Sequence, residues 1–206
     1  MNQKYSSSFV LIFIASIFFV PSSQSSAQVE LKILRDGRTT KRTGKILQWS
    51  GYQILLQANG RERKIDSRDV IDLKTDWPSD LEEARRAVTQ HDYSTATRKY
   101  ELAILQDERL WVRQTIWAEL VELCDAQENS VESIRYFLKI ATQDTDTRFF
   151  HLIPLSWSTS GLKTPPENMT KPWLQAESKI VQLLAASWRL SGTGRTEAID
   201  KLQSLA

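Results

Sequence analysis

The sequence predicts an α+β protein: a small all-β module over residues 29–77, then an all-α region over residues 79–206 built from helix pairs. Three observations carry that expectation. Val29, Leu31 and Ile33 alternate with Glu30 and Lys32, a period of two that puts the apolar set on one face of a strand. Turn dipeptides, Asp36-Gly37, Ser50-Gly51 and Asn59-Gly60, follow one another at short intervals in the same stretch. Beyond Pro78 the period changes, and Leu81, Ala84, Ala87 and Val88 fall on one helical stripe.

Ahead of the β module, Lys4 precedes an apolar run from Phe9 to Val20, and Pro21, several serines and Ala27 follow. That is the layout of a secretory signal peptide. A spanning helix needs roughly 20 apolar residues, more than this run supplies. The expectation is a signal peptide over residues 1–27, cleavage after Ala27, export to the periplasm or beyond, and no membrane span in what remains. The run's serine- and glutamine-rich flanks offer no polar face for a core helix.

Within the β module the expected strands are Val29–Ile33, Lys45–Trp49, Tyr52–Gln57, Arg61–Ile65 and Val70–Lys74. Asn59-Gly60 is the clearest hairpin signal, because both residues tolerate the positive φ of a tight turn. Five short strands are too few for a sandwich of ordinary size, and closing into a small barrel would remove exposed edges. With Asp66–Asp69 as a single helical turn before the last strand, the module resembles a partly open SH3-like barrel.

Formal net charge is +2, so no global basic field argues for nucleic acid or an anionic membrane. The halves differ: residues 29–77 hold eleven Lys and Arg against seven Asp and Glu, and residues 78–206 fifteen against eighteen. Arg35, Arg38, Lys41, Arg42, Arg61, Arg63 and Lys64 cluster around the expected turns, with Trp49 and Tyr52 nearby. Asp36, Glu62, Asp66 and Asp69 are interleaved, which favours a solvated rim over nucleic-acid binding. Binding of an acidic envelope polymer or a small ligand by the basic β module, with Arg35, Arg38, Arg61, Arg63 and Lys64 as the polymer-binding residues, stays open as the alternative function.

In the all-α region, His91-Asp92-Tyr93 interrupts the first helix before a second carrying Ala96, Tyr100, Ala103 and Ile104. A second pair has Trp117 on its first helix, a break at Gln127-Glu128-Asn129, and Ser133, Phe137 and Ile140 on its second, with Glu108 to Arg113 as the linker. A third pair is expected as a long helix from Trp173 to Leu190, a turn over residues 191–194, and a helix from Thr196 to Leu205. On these residues the region resembles tetratricopeptide (TPR) repeats, which implies antiparallel helices meeting at small residues and a surface for a protein or peptide partner. Leu110-Trp111-Val112-Arg113, Pro154-Leu155-Ser156-Trp157 and the segment from Leu183 to Trp188 are also similar to a family of exported TPR proteins from planctomycete-type bacteria. That likeness implies export and architecture, and no activity.

Residues 145–172 form an irregular insertion, rich in proline yet as apolar as a core through Phe149, Phe150, Leu152, Ile153, Leu155 and Trp157. Packing onto a helix face is the favoured expectation. Phe149, Phe150 and Trp157, with Tyr93 at the first interhelical turn, are the candidate partner-binding residues.

Catalytic and metal patterns are not found. His91 and His151 belong to no ligand or triad spacing. Cys124 lies on an apolar stripe and, as the single cysteine, forms no internal disulfide. Asp144 and Asp146 lack the glycine and terminal glutamate of a calcium loop. Asn168-Met169-Thr170 fits a glycosylation sequon. The expectation is a non-catalytic interaction or scaffolding protein of the cell envelope, without cofactor or metal, whose partner is a protein or peptide.

Overall fold

The structure, a computed structural model, describes residues 28–157, 163–190, 192 and 194–206. The signal peptide expected over residues 1–27, the insertion's residues 158–162, and parts of the 191–194 turn lie outside them.

Five strands form one antiparallel sheet: β1 Val29–Arg35, β2 Arg38–Ser50, β3 Gln53–Ala58, β4 Arg61–Asp66 and β5 Val70–Lys74. Their order is β4-β3-β2-β1-β5, and no ladder joins β4 to β5 among the described residues, so the sheet is not closed by hydrogen bonds. Asp36 and Gly37 both adopt positive φ, as do Asn59 and Gly60, which is what the two tight turns demand. A 3-10 turn over Ser67–Asp69 precedes β5, capped by the Asp66 carboxylate, which accepts from the Arg68 amide at 3.0 Å.

β2 is longer than the sequence suggests. It runs for 13 residues, pairing β1 through Arg38–Gly44 and β3 through Lys45–Ser50. Its first half, Arg38 to Thr43, is exposed on every residue and so shows no apolar alternation. Threonine's preference for extended backbone and the β1 ladder hold it instead. The handover occurs at Gly44, where a Cβ would lie 2.3 Å from the Gln57 carbonyl oxygen. Two residues later the register slips between Ile46 and Gln48, leaving Leu47 as the extra residue of a β-bulge.

Among the described residues the helices are α1 Ser79–Thr89, α2 Tyr93–Gln106, α3 Leu110–Ala126, α4 Ser130–Gln143, α5 Glu167–Trp173, α6 Lys179–Arg189 and α7 Arg195–Leu205. The first two hairpins are built alike. His91 and Glu128 take the left-handed conformation at their turns, and Asp92 and Asn129 then cap α2 and α4 through their side chains. Ala96, Tyr100 and Ala103 are buried on α2 where Ser133, Phe137 and Ile140 are buried on α4, at the same offset along the chain. Asp80 ties the first hairpin together, accepting from Lys99 Nζ at 2.6 Å and from the Gln106 amide. The Lys99 hydrogen bond leads in holding the Asp80 carboxyl below its usual range.

Three expected boundaries move. The linker before α3 is only Asp107–Arg109, and Arg113 is already helical. The long helix expected from Trp173 to Leu190 is two helices, because the chain turns at Leu174 to bury it with Ala185, Ala186 and Ala198 in a small second core. Pro172, which brings no N–H to the last turn of α5, marks the break. The insertion also contains structure: a 3-10 turn over Phe150–Leu152 and all of α5 but Trp173. Its Phe149, Leu152, Ile153 and Leu155 pack on the main core, and the Trp188 indole donates to the Pro154 carbonyl at 2.8 Å.

That main core is shared. Val29, Leu31, Ile54 and Leu56 of the sheet belong to the same buried cluster as Leu81, Ile116, Phe137 and Ile140 of the helices. No helix among the described residues is long and apolar enough to cross a membrane.

Gly44→Ala should lower stability by several times the effect of Gly37→Ala, read as unfolding midpoints in urea. At Gly37 (φ +72°) nothing stands within 4 Å of a new Cβ, so the cost is about 1 kcal/mol of backbone strain. At Gly44 the Cβ meets backbone that belongs to the ladder. Equal losses would show that the close strand approach does not matter.

Candidate functional site

The sheet and the helices meet along an aromatic seam. Trp49 from β2 and Trp77 from the β5–α1 link both pack on Trp111 near the start of α3, with ring centroids 6.1 Å and 5.7 Å away. Each indole carries a guanidinium: Arg148 lies 3.5 Å from the Trp49 centroid, Arg109 5.3 Å from that of Trp111, and Arg85 5.1 Å from that of Trp77. Arg109 also donates to the Thr75 hydroxyl at 2.8 Å and the Asp76 carbonyl at 2.6 Å, while its own charge is matched by Asp107. Arg85 is matched by Glu119 at 2.7 Å.

Arg148 is different. One Nη donates to Thr115 Oγ1 at 2.8 Å and the guanidinium is 4.5 Å from the Phe149 centroid, yet no ion pair among the described residues includes it. Burial pushes its pKa down to about 9, against a smaller opposing pull from Asp144. It is still charged at neutral pH.

Two cavities open along the seam, beside the hydrogen bond from Ser50 Oγ to Asp144 Oδ1 at 2.5 Å. The first, about 690 Å³, lies between the second half of β2 and the α2–α3 turn, with Leu47, Trp49, Leu110 and Gln114 in its wall. The bulge turns Leu47 out to 40% exposure at its lip. Behind the wall the Trp49 Nε1 and Gln114 Nε2 donors are closed off without a hydrogen-bond partner. The second, about 780 Å³, is lined by Tyr52, Leu55, Lys64, Arg148, Phe150 and His151 among others. Gln48 and Ser50 line both.

The residues expected from sequence divide sharply. Phe150, 40% exposed, and Lys64 come together in the second cavity, although the sequence points to partner binding for one and polymer binding for the other. Phe149 lies beneath, as part of the core and of the support for Arg148. Trp157 is 56% exposed and lines neither cavity. Tyr93 lines neither as well; its hydroxyl lies 3.1 Å from His91 Nδ1 at the first interhelical turn. Arg35 and Arg38 pair across the Asp36-Gly37 turn. Arg61 and Arg63 lie on β4, where strand alternation puts them on the face opposite Lys64.

Comparison with family models, with curated proteins and with solved structures returns no match to this chain.

Arg148, Leu47, Ser50 and Asp144 escaped the sequence reading as site residues. A signal was present for Arg148, the single Lys or Arg in the apolar stretch from Thr147 to Trp157. Nothing local marked Leu47, whose outward aim comes from the bulge. As for chemistry, the described residues contain no group of three or more His, Cys, Asp or Glu able to hold a metal ion. Cys124 is buried on α3, at the point of its hairpin where Ala87 sits in the first, and burial pushes its thiol up to about 12. A thiol held that high is not a nucleophile at neutral pH.

Cys124 should therefore resist a thiol reagent in the native protein at pH 8 and react fully once unfolded. Because its folded pKa lies above the unfolded value of about 8.5, its share of stability is present below that pH. That share is lost as pH rises towards the folded value. Rapid native labelling would contradict the assignment.

Proposed function

We propose that the protein is a non-catalytic interaction module of the bacterial cell envelope, which holds a peptide segment of a partner protein in the seam between sheet and helices. The observation that carries this reading is the pair of adjoining cavities along β2, which mix apolar lips with polar walls as ligand sites do. Leu47 at one lip and Phe150 at the other offer exposed apolar anchors.

In this reading the sheet is an SH3-like module and the helix pairs are TPR-like. Support for the first comes from the long β2 shared between β1 and β3 and from the 3-10 turn before β5. Support for the second comes from the matching turns, caps and buried positions of the α1–α2 and α3–α4 hairpins. Export rests on the residues of the N-terminal segment, Lys4 to Ala27. The insertion serves the site by packing on the core and delivering Arg148 and Phe150 to it.

Full-length mature protein used to capture partners from its own envelope fraction should recover a protein that a Leu47→Ser, Phe150→Ser double variant recovers about tenfold less well, the loss expected when central apolar anchors are removed. Both positions are exposed, so the variant should keep the wild-type circular dichroism spectrum. A partner recovered equally by both proteins would place the interaction elsewhere.

A further inference from the structure

The second cavity has a chemistry of its own. Arg148 enters it as a half-buried cation, flat against Trp49 and near Phe149, with one Nη spent on Thr115. An arginine has five N–H donors in one plane. With an aromatic ring on its face, the directions left for a ligand lie in the guanidinium edge, the geometry that a carboxylate meets with two parallel hydrogen bonds. No ion pair among the described residues places a carboxylate on that edge, whereas Arg109, which also lies over an indole, has Asp107.

The cavity's other charged lining residues are Lys64 and Asp146, with His151 beside them. Asp146 in the lining, and Asp144 pulling on Arg148 from beside it, offset these two cations, so the attraction for an anion comes from the open guanidinium edge and not from net charge. Around it the rim is apolar: Tyr52 is 63% exposed and Phe150 40% exposed, with Leu55 on the strand between Tyr52 and Lys64. A ligand for this site joins a carboxylate to an apolar body.

Building on the peptide-binding reading above, we infer that the second cavity takes the C-terminal carboxylate of a peptide whose last side chain is apolar. Arg148 holds the carboxylate, Lys64 adds attraction from the edge strand, and Tyr52 and Phe150 contact the side chain. An acidic sugar polymer would present the same carboxylate without the apolar body, and it is the competitor that the test must separate.

The probe is N-acetyl-Ala-Leu-Leu with a free C-terminus, compared with its C-terminal amide. Both are titrated into the full mature protein and followed by the backbone amide resonances of Gly51, Tyr52 and Gln53. The acid should bind about tenfold tighter than the amide, the scale of a charge-assisted hydrogen-bonded pair. Arg148→Met should abolish that ratio and Arg148→Lys should restore part of it. Lys64→Ala, at an exposed edge position that leaves folding intact, should weaken the acid about threefold, as a partly screened charge would, and leave the amide unchanged.

Equal affinity for acid and amide, or a preference that survives Arg148→Met, would overturn the inference. Glucuronate binding more tightly than the peptide acid would overturn the peptide assignment in favour of a polymer. These outcomes are separable from failure of the wider reading: a partner lost with Leu47→Ser, Phe150→Ser, together with no acid preference, removes the carboxylate site alone.

Discussion

Trp111 holds this protein together. It is buried near the N-terminus of α3, with Trp49 of the sheet against one part of it and Trp77 of the connecting segment against another. Deleting such an indole costs about 3–5 kcal/mol, a large share of the roughly 5–15 kcal/mol that stabilises a domain. The three cation–indole contacts add less individually, about 0.5–2 kcal/mol each. Their effect is on geometry, because each guanidinium is also fixed by hydrogen bonds to a second element. The sheet buries too little apolar surface to be an ordinary domain by itself, and its inner residues are completed by the helical core.

The seam explains the cavities as well. The bulge in β2 falls where that strand faces the α2–α3 turn across the first cavity, and Ser50 at the strand's end reaches Asp144 at the end of α4. The loop after α4 lines the second cavity, and the missing side chain of Gly51 lets it approach: a Cβ there would come within 2.9 Å of the Asp146 carbonyl oxygen. Structure and site thus share residues. Arg148 supports Trp49 and faces the second cavity, its half-buried charge held by two aromatic rings, Thr115 and the pull of Asp144, in no ion pair among the described residues.

Much of the architecture was legible in the sequence because the signals are local. Asn59-Gly60 marked its hairpin, the period-two alternation marked β1, and the Ala96, Tyr100, Ala103 series marked the contact face of α2. The failures have physical causes of two kinds. The first half of β2 carries only polar and charged residues, so its strand character comes from the β1 ladder and not from burial of its own side chains. The expected helix from Trp173 to Leu190 carries apolar residues at helical spacing, but the chain breaks it where Leu174 is buried in the second core. The site was least legible. Phe150 and Lys64 were each singled out, yet what brings them together is the docking of the insertion on the sheet, a contact between residues more than 80 positions apart.

If the indole seam makes one folding unit of sheet and helices, native-state hydrogen exchange will show it. The account predicts that amides of Leu31, Ile54 and Leu56 in the sheet exchange with the same opening free energy as those of Ile116 and Leu120 in α3, and that Trp111→Ala lowers both together. Sheet amides that open several kcal/mol more easily than α3, unaffected by loss of Trp111, would contradict it and make the two parts independent neighbours.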